Sequence, residues 1–133
     1  MKTIIGVINS LPNLLPLKAA SSMQIIDAEL QLRVSFSNEY KEYLSTFGAI
    51  MADGIEVSGI AKSEHRNVVA LTKKEWALNP KVPHTMYVVE NTCVDGIIIW
   101  QDTTGEVYQT YPNHTPKKIA DSLQDYIMNR TNK

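Results

Sequence analysis

The run Ile97-Ile98-Ile99-Trp100-Gln101 constrains this chain more than any other segment. It consists of β-forming residues held between two turn signals, Asp95-Gly96 and Asp102-Thr103-Thr104-Gly105. Upstream stands Met86–Glu90 and downstream Val107–Tyr111, both short and rich in β-branched or aromatic side chains. Connections this short force antiparallel neighbours. Alternation places Ile98 and Trp100 on one side, and Ile97, Ile99 and Gln101 on the other. A strand apolar on both sides belongs at the centre of a sheet, covered on both faces. The segment therefore predicts a meander with a core built against it.

Helices supply the cover. Ser21 and Gln24 have capping-box spacing, and Met23, Ile26 and Leu30 follow at helical spacing with Ile25 and Leu32 alongside. This predicts a helix over 22–32. After Ser37, residues Tyr40, Tyr43, Leu44 and Phe47 fall on one helical face, and Gly48 ends the helix. Ile55–Ile60 reads as a short strand, and Val68, Val69 and Leu71 as another. Thr72 and Glu75 again have capping-box spacing, predicting a short helix over 73–78 that stops at Asn79-Pro80. Near the end, Thr115 and Pro116 suit the start of a helix that buries Ile119, Leu123, Tyr126 and Ile127. The polar tail 129–133 is expected to fray. At the other end, residues 4–8 read as a strand, and 9–20 run through Pro12 and Pro16 as an extended arm. The reading is thus an arm over 1–20 before one domain over 21–133. Its order predicts an α+β fold, a mainly antiparallel sheet with helices packed on one face.

Composition removes several functions. A length of 133 residues with 44% hydrophobic and 20% charged residues fits one ordinary globular domain. A net charge of −1 offers no excess of cations for a phosphate backbone, so nucleic acid is not an expected partner. The single cysteine, Cys93, cannot form an internal disulfide and fits a reducing, cytoplasmic compartment. No apolar run approaches the ~20 residues of a membrane span. Lys2 with Ile4, Ile5, Val7 and Ile8 has the look of a secretory signal, but Asn9, Pro12 and Pro16 interrupt it.

Reactive chemistry is not signalled either. His65, His84 and His114 lack metal-ligand spacing, and no signature of a nucleophile surrounds Cys93. Asp95 and Asp102 flank the most apolar strand, yet turn chemistry accounts for both. No glycine-rich phosphate loop or nucleophile elbow is present. No catalytic residue, metal site or cofactor is therefore expected. Asn113-His114-Thr115 and Asn129-Arg130-Thr131 match the glycosylation sequon, which matters only in a secreted chain. Trp76, Trp100, Tyr87, Tyr108 and Tyr111 gather in the second half. Core packing and an aromatic interface both account for them, with packing favoured for Trp100.

The order of segments resembles the SUKH superfamily, the domain similar to cell-wall-assembly regulators that is common among bacterial immunity proteins. The resemblance rests on Ile25-Ile26-Asp27-Ala28-Glu29, on Phe36-Ser37-Asn38-Glu39-Tyr40-Lys41-Glu42-Tyr43-Leu44 through Phe47-Gly48, and on Gly54-Ile55-Glu56-Val57 with Gly59. It continues through Val68-Val69-Ala70-Leu71-Thr72, Asp102–Val107 and Ile119–Ile127, covering about residues 22–128. Phe36-Ser37 stands where the family usually has a proline, and Leu123 where phenylalanine is common. The resemblance implies a domain without catalytic residues that neutralises a polymorphic toxin, often a nuclease, by occlusion. The alternative is a regulatory adaptor of the same fold in cell-envelope or signalling assembly. A third reading, a small-molecule site or hydrolase, requires a deep pocket of perturbed titratable groups. For a toxin partner, Asp53, Glu56, Asp95 and Glu106, all near turns or strand ends, are the candidate steering acids. Tyr108 and Trp100 are the candidate aromatic contacts. The arm over 1–20 has no counterpart in this resemblance, and it is a candidate for homodimer formation by strand addition.

Overall fold

The structure, a computed structural model, describes residues 3–131. Its elements are α1 (Ile4–Asn9), β1 (Leu15–Pro16), α2 (Ser22–Leu32), α3 (Asn38–Phe47), β2 (Ile50–Ala52) and β3 (Ile55–Val57). After a 3₁₀ turn at Glu64–Arg66 come α4 (Val68–Leu78), β4 (Tyr87–Asn91), β5 (Ile98–Gln101), β6 (Val107–Thr110), β7 (Lys117–Ala120) and α5 (Leu123–Thr131). Two antiparallel sheets result, ordered β1-β2-β3 and β4-β5-β6-β7. This is the α+β arrangement that the meander predicted.

The expected central strand, β5, is buried along its whole length. Trp100 lies opposite Val88 on one neighbour and Tyr108 on the other. Ile99 joins the main core with Val107, Leu123 and Ile127, while Ile98 and Trp100 join a second cluster with Leu71, Val82, Met86 and Val88. The alternation of side chains is as expected. The free edge of β4 is covered: the Val88 N–H donates to Thr72 Oγ1 at 2.9 Å, and the Val89 carbonyl accepts from Ser58 N at 2.8 Å.

Helix α3 forms where the spacing placed it. Ser37 caps it by accepting from Tyr40 N at 3.0 Å. Its apolar face is buried, and the Tyr40 and Tyr43 hydroxyls donate to the carbonyls of Ser58 and Val57 at 2.9 and 2.7 Å. These tyrosines give the core large rings without stranding a hydroxyl. Helix α2 also forms as predicted, with the full capping box at Ser21 and Gln24. Its buried stripe is a different one, however. Ile25, Ala28 and Leu32 face inward, whereas Met23, Ile26 and Leu30 are 74%, 48% and 70% exposed. Two apolar stripes compete on this helix, and the one containing the small Ala28 admits close packing.

Four other segments depart from expectation. Residues 4–8 form a helix, not a strand. Ile4, Val7, Ile8 and Leu11 recur at i, i+3, i+4 and i+7 and are buried, and Thr3 caps by accepting from Gly6 N at 3.1 Å. β-Branched content had masked that period. The rest of 9–20 is not a free arm: Leu15–Pro16 pairs with β2, and the Pro12 carbonyl accepts from Asp53 N at 3.1 Å. β1 is the edge strand of this sheet, paired to β2 on one side. Residues 68–71 belong to a helix because Asn67 caps it, its Oδ1 accepting from Val69 N and Ala70 N at 2.9 and 3.1 Å. Thr72 and Glu75 then lie inside α4 on its buried face, not at a cap. Finally, Lys117–Ala120 is a fourth meander strand, and the last helix starts only at Leu123. Asn129–Thr131 remain helical. Positions 132 and 133 of the expected frayed tail lie outside the described residues, as does Lys2.

Candidate partner-binding site

The C-terminal half of α4 meets the ends of the meander strands around a cavity of about 310 Å³. Ile98 and Trp100 contribute from β5, Tyr111 and Pro112 from the segment after β6, and Glu75 and Leu78 from α4. Leu78 and Tyr111 are 61% and 47% exposed, so the mouth carries apolar surface. Neighbouring groups hold the site in shape. The Trp100 indole donates to Thr110 Oγ1 at 2.9 Å, and Asn79 Nδ2 donates to the His114 carbonyl at 3.0 Å. Gly96 closes the rim at φ 71°, where a Cβ would stand 2.7 Å from Pro112 Cγ. Only glycine suits both that backbone and that approach.

Glu75 is the unusual group. It is 8% exposed, and no described residue gives its carboxylate a hydrogen bond or an ion pair. Burial pushes its pKa up, and the charge of neighbouring Lys74 draws it back only in part. Two other shielded acids are treated differently. Glu90, 2% exposed, accepts from Tyr126 Oη at 2.5 Å, from Glu56 N at 3.0 Å and from the Arg130 guanidinium. Glu39 accepts from Leu123 N, Gln124 N and Gln101 Nε2 at 2.7, 3.0 and 2.9 Å. Glu90 ties β4 to β3 and α5, and Glu39 caps α5. Buried acids ordinarily have such partners. Glu75 faces a cavity instead, where it can hold a proton or meet a cation from outside.

The residues expected at an interface are distributed over both sheets and the turns beside them. Trp100 is 0% exposed and stands behind the cavity wall within the core, so it offers a partner no side-chain surface. Tyr108 is half-buried, and its hydroxyl donates to Glu106 at 3.1 Å. Glu106 also pairs with Lys118 at 2.5 Å, which lowers its pKa. Asp95 and Glu106 bracket β5 from opposite ends, since one precedes it and the other follows. Asp53, in the β2–β3 turn, accepts from Asn13 at 2.8 Å, and Glu56, in β3, pairs with Arg66 at 3.4 Å. Of the four acids, Asp95 adjoins the cavity through Gly96, and Glu56 shares a recess with Asn91, which also lines the cavity. Sequence reasoning missed Glu75 because capping-box spacing with Thr72 explained it away. The signal was an acid on the inward stripe with Val68, Leu71 and Thr72.

Among the described residues, no group of three His, Cys, Asp or Glu side chains is placed to hold a metal ion. His65, Glu56 and Cys93 do line one recess, but it measures about 70 Å³. Ligand sites start near ~300 Å³. An open groove of about 510 Å³ between 17–19 and 60–66 carries Lys18, Lys62 and Arg66. No helix among the described residues is long and apolar enough to cross a membrane.

The fold and the cavity define an α+β domain whose helix-backed meander carries a recess with an apolar mouth and an acid unpaired among the described residues. The chain belongs to the SUKH superfamily: the SUKH_5 family, described as SMI1-KNR4 cell-wall, matches residues 1–132. That match takes in the first twenty residues, which the resemblance had left without a counterpart. No curated protein matches the sequence.

Proposed function

We propose that this chain is an immunity protein that binds a cognate toxin, a nuclease in the first instance, and covers its active site. It acts in the cytoplasm by occupying a surface and catalyses no reaction. The carrying observation is the Glu75 cavity, a recess with an apolar mouth and an acid that has no hydrogen bond or ion pair among the described residues. Such an arrangement is costly alone and suits a contact completed by a partner. Membership of the SUKH superfamily supports the reading, since its domains are often immunity proteins. A nuclease toxin has cationic groups where it holds phosphates. Asp95 beside the cavity favours approach of such a face.

Co-expression with a toxin whose gene adjoins this one tests the reading. Growth is restored and the two proteins co-purify if it holds. Undiminished killing, with no complex, counts against it. The family description carries the words cell-wall, which favours one alternative, a regulatory adaptor in envelope assembly. Recovery of several envelope proteins and no toxin from cells would support that alternative.

A further inference from the structure

We propose that the cavity beside Glu75 receives one basic side chain, an arginine or a lysine, projected from the surface of a protein partner. The inference rests on the reading that this chain works by binding a protein, and it adds what the partner must present.

Charge is the first argument. Glu75, 8% exposed as a residue and without a hydrogen bond among the described residues, costs stability while ionised because burial disfavours its charge, and a cation entering the cavity relieves that cost. Lys74 also lines the cavity but is exposed and makes no ion pair with Glu75. The remaining polar groups are largely committed within the chain. Asn79 Oδ1 accepts from Lys81 N at 3.1 Å, Asn91 Oδ1 accepts from Cys93 N at 2.9 Å, and Thr110 Oγ1 accepts from Trp100.

Size and wall chemistry are the second. The cavity, about 310 Å³, lies at the small end of the ~300–1,000 Å³ range for ligand sites, suiting one side chain better than a cofactor. Its walls include Leu78, Ile98 and Pro112, with the Tyr111 ring at the mouth, apolar surface against which a long aliphatic stem packs. Arginine and aromatic residues meeting in a desolvated recess are the usual composition of an interface hot spot. Position agrees, since Leu78, Tyr111 and Val94 on the adjacent turn are all exposed apolar groups able to meet the surface around the inserted residue.

The test needs no toxin. The full chain, labelled with ¹⁵N, is titrated to about 20 mM with the capped peptide Gly-Arg-Gly, then with its citrulline counterpart, which is similar in shape but neutral. Saturable shifts at the amides of Glu75, Leu78, Gly96 and Tyr111 are expected with arginine. Affinity should fall at least about tenfold with citrulline and with Glu75→Gln. Tyr111→Lys, at an exposed position, places a competing cation at the mouth and should also abolish the response. No saturable shift, equal binding of the two peptides, or unchanged binding by both variants overturns the proposal. Putrescine binding as well as the arginine peptide overturns it too, because the cavity is then a small-amine site. If the peptide fails while co-expression still rescues cells, the immunity reading stands with another contact. If the peptide binds and no toxin is neutralised, the cavity stands and the immunity reading falls.

Discussion

Arg130→Met removes the cation that answers Glu90, together with its hydrogen bonds to Tyr126 Oη and the Gly54 carbonyl at 2.6 and 2.7 Å. Glu90 is 2% exposed, so water cannot replace the lost partner without opening the junction of β4, β3 and α5. The Tyr126 phenol remains a donor, since burial and the Glu90 charge hold its pKa well above the usual range. One hydrogen bond from Tyr126 and one from Glu56 N then have to support a buried charge alone. Breaking a buried pair from one side costs about 3–5 kcal/mol. The low end applies because the Arg130 side chain is 27% exposed and part of its attraction is screened. Unfolding entropy of about 2.1 cal/mol/K per residue over 133 residues makes a loss of about 3 kcal/mol a fall of about 11 °C in Tm. That is a large share of the about 5–15 kcal/mol that holds a domain together. Urea unfolding followed by circular dichroism measures the loss. The double variant Glu90→Gln with Arg130→Met removes charge and partner together, so it should be more stable than Arg130→Met alone. A loss below about 1 kcal/mol, or a double variant weaker than either single one, refutes the reasoning.

Three further outcomes follow from the same physical account. Glu75 has a raised pKa in the folded state, so its penalty is absent below the ordinary carboxylate range and present above its folded pKa. Glu75→Gln should therefore leave stability unchanged near about pH 4 and raise it near about pH 8, and chemical denaturation at the two pH values checks this. At Gly59 a Cβ would stand 1.7 Å from the Gly48 carbonyl oxygen, so Gly59→Ala should cost at least the top of the about 1–3 kcal/mol usual for overpacking, read as a shift in the urea midpoint. On α2, Ile25→Gln should destabilise by about 2 kcal/mol or more, whereas Ile26→Gln, one residue on and 48% exposed, should stay within about 0.5 kcal/mol; thermal melts of the pair decide which stripe is buried.

The parts of the fold legible in the sequence were those where period and termination agreed. The strand at 97–101 stood between two turn signals, and α3 carried one apolar face with a serine before it and a glycine after it. Misread segments were those in which composition outweighed period. Val68, Val69 and Leu71 suggested a strand because β-branched residues favour one. The two hydrogen bonds accepted by Asn67 start a helix there instead, and a single asparagine is a faint cue in sequence. Lys117–Ala120 reads as the first turn of a helix until its pairing with β6 is visible, and the true start of α5 depends on Glu39, more than 80 residues away. The cavity was illegible for a related reason. Its walls come from α4, β5 and the segment after β6, and the isolation of Glu75 is a property of how those pieces meet.

The central claim is that this domain acts by contact through the surface around Glu75. The most direct measurement is a titration, with wild-type chain and with Tyr111→Lys, of the toxin that this chain neutralises on co-expression, following complex formation by calorimetry and residual toxin activity in parallel. Inhibition should rise in step with occupancy, reach completion at one chain per toxin, and weaken at least about tenfold for the variant. Full inactivation of excess toxin by a trace of chain would contradict the claim, because that is turnover; so would equal potency of the two proteins.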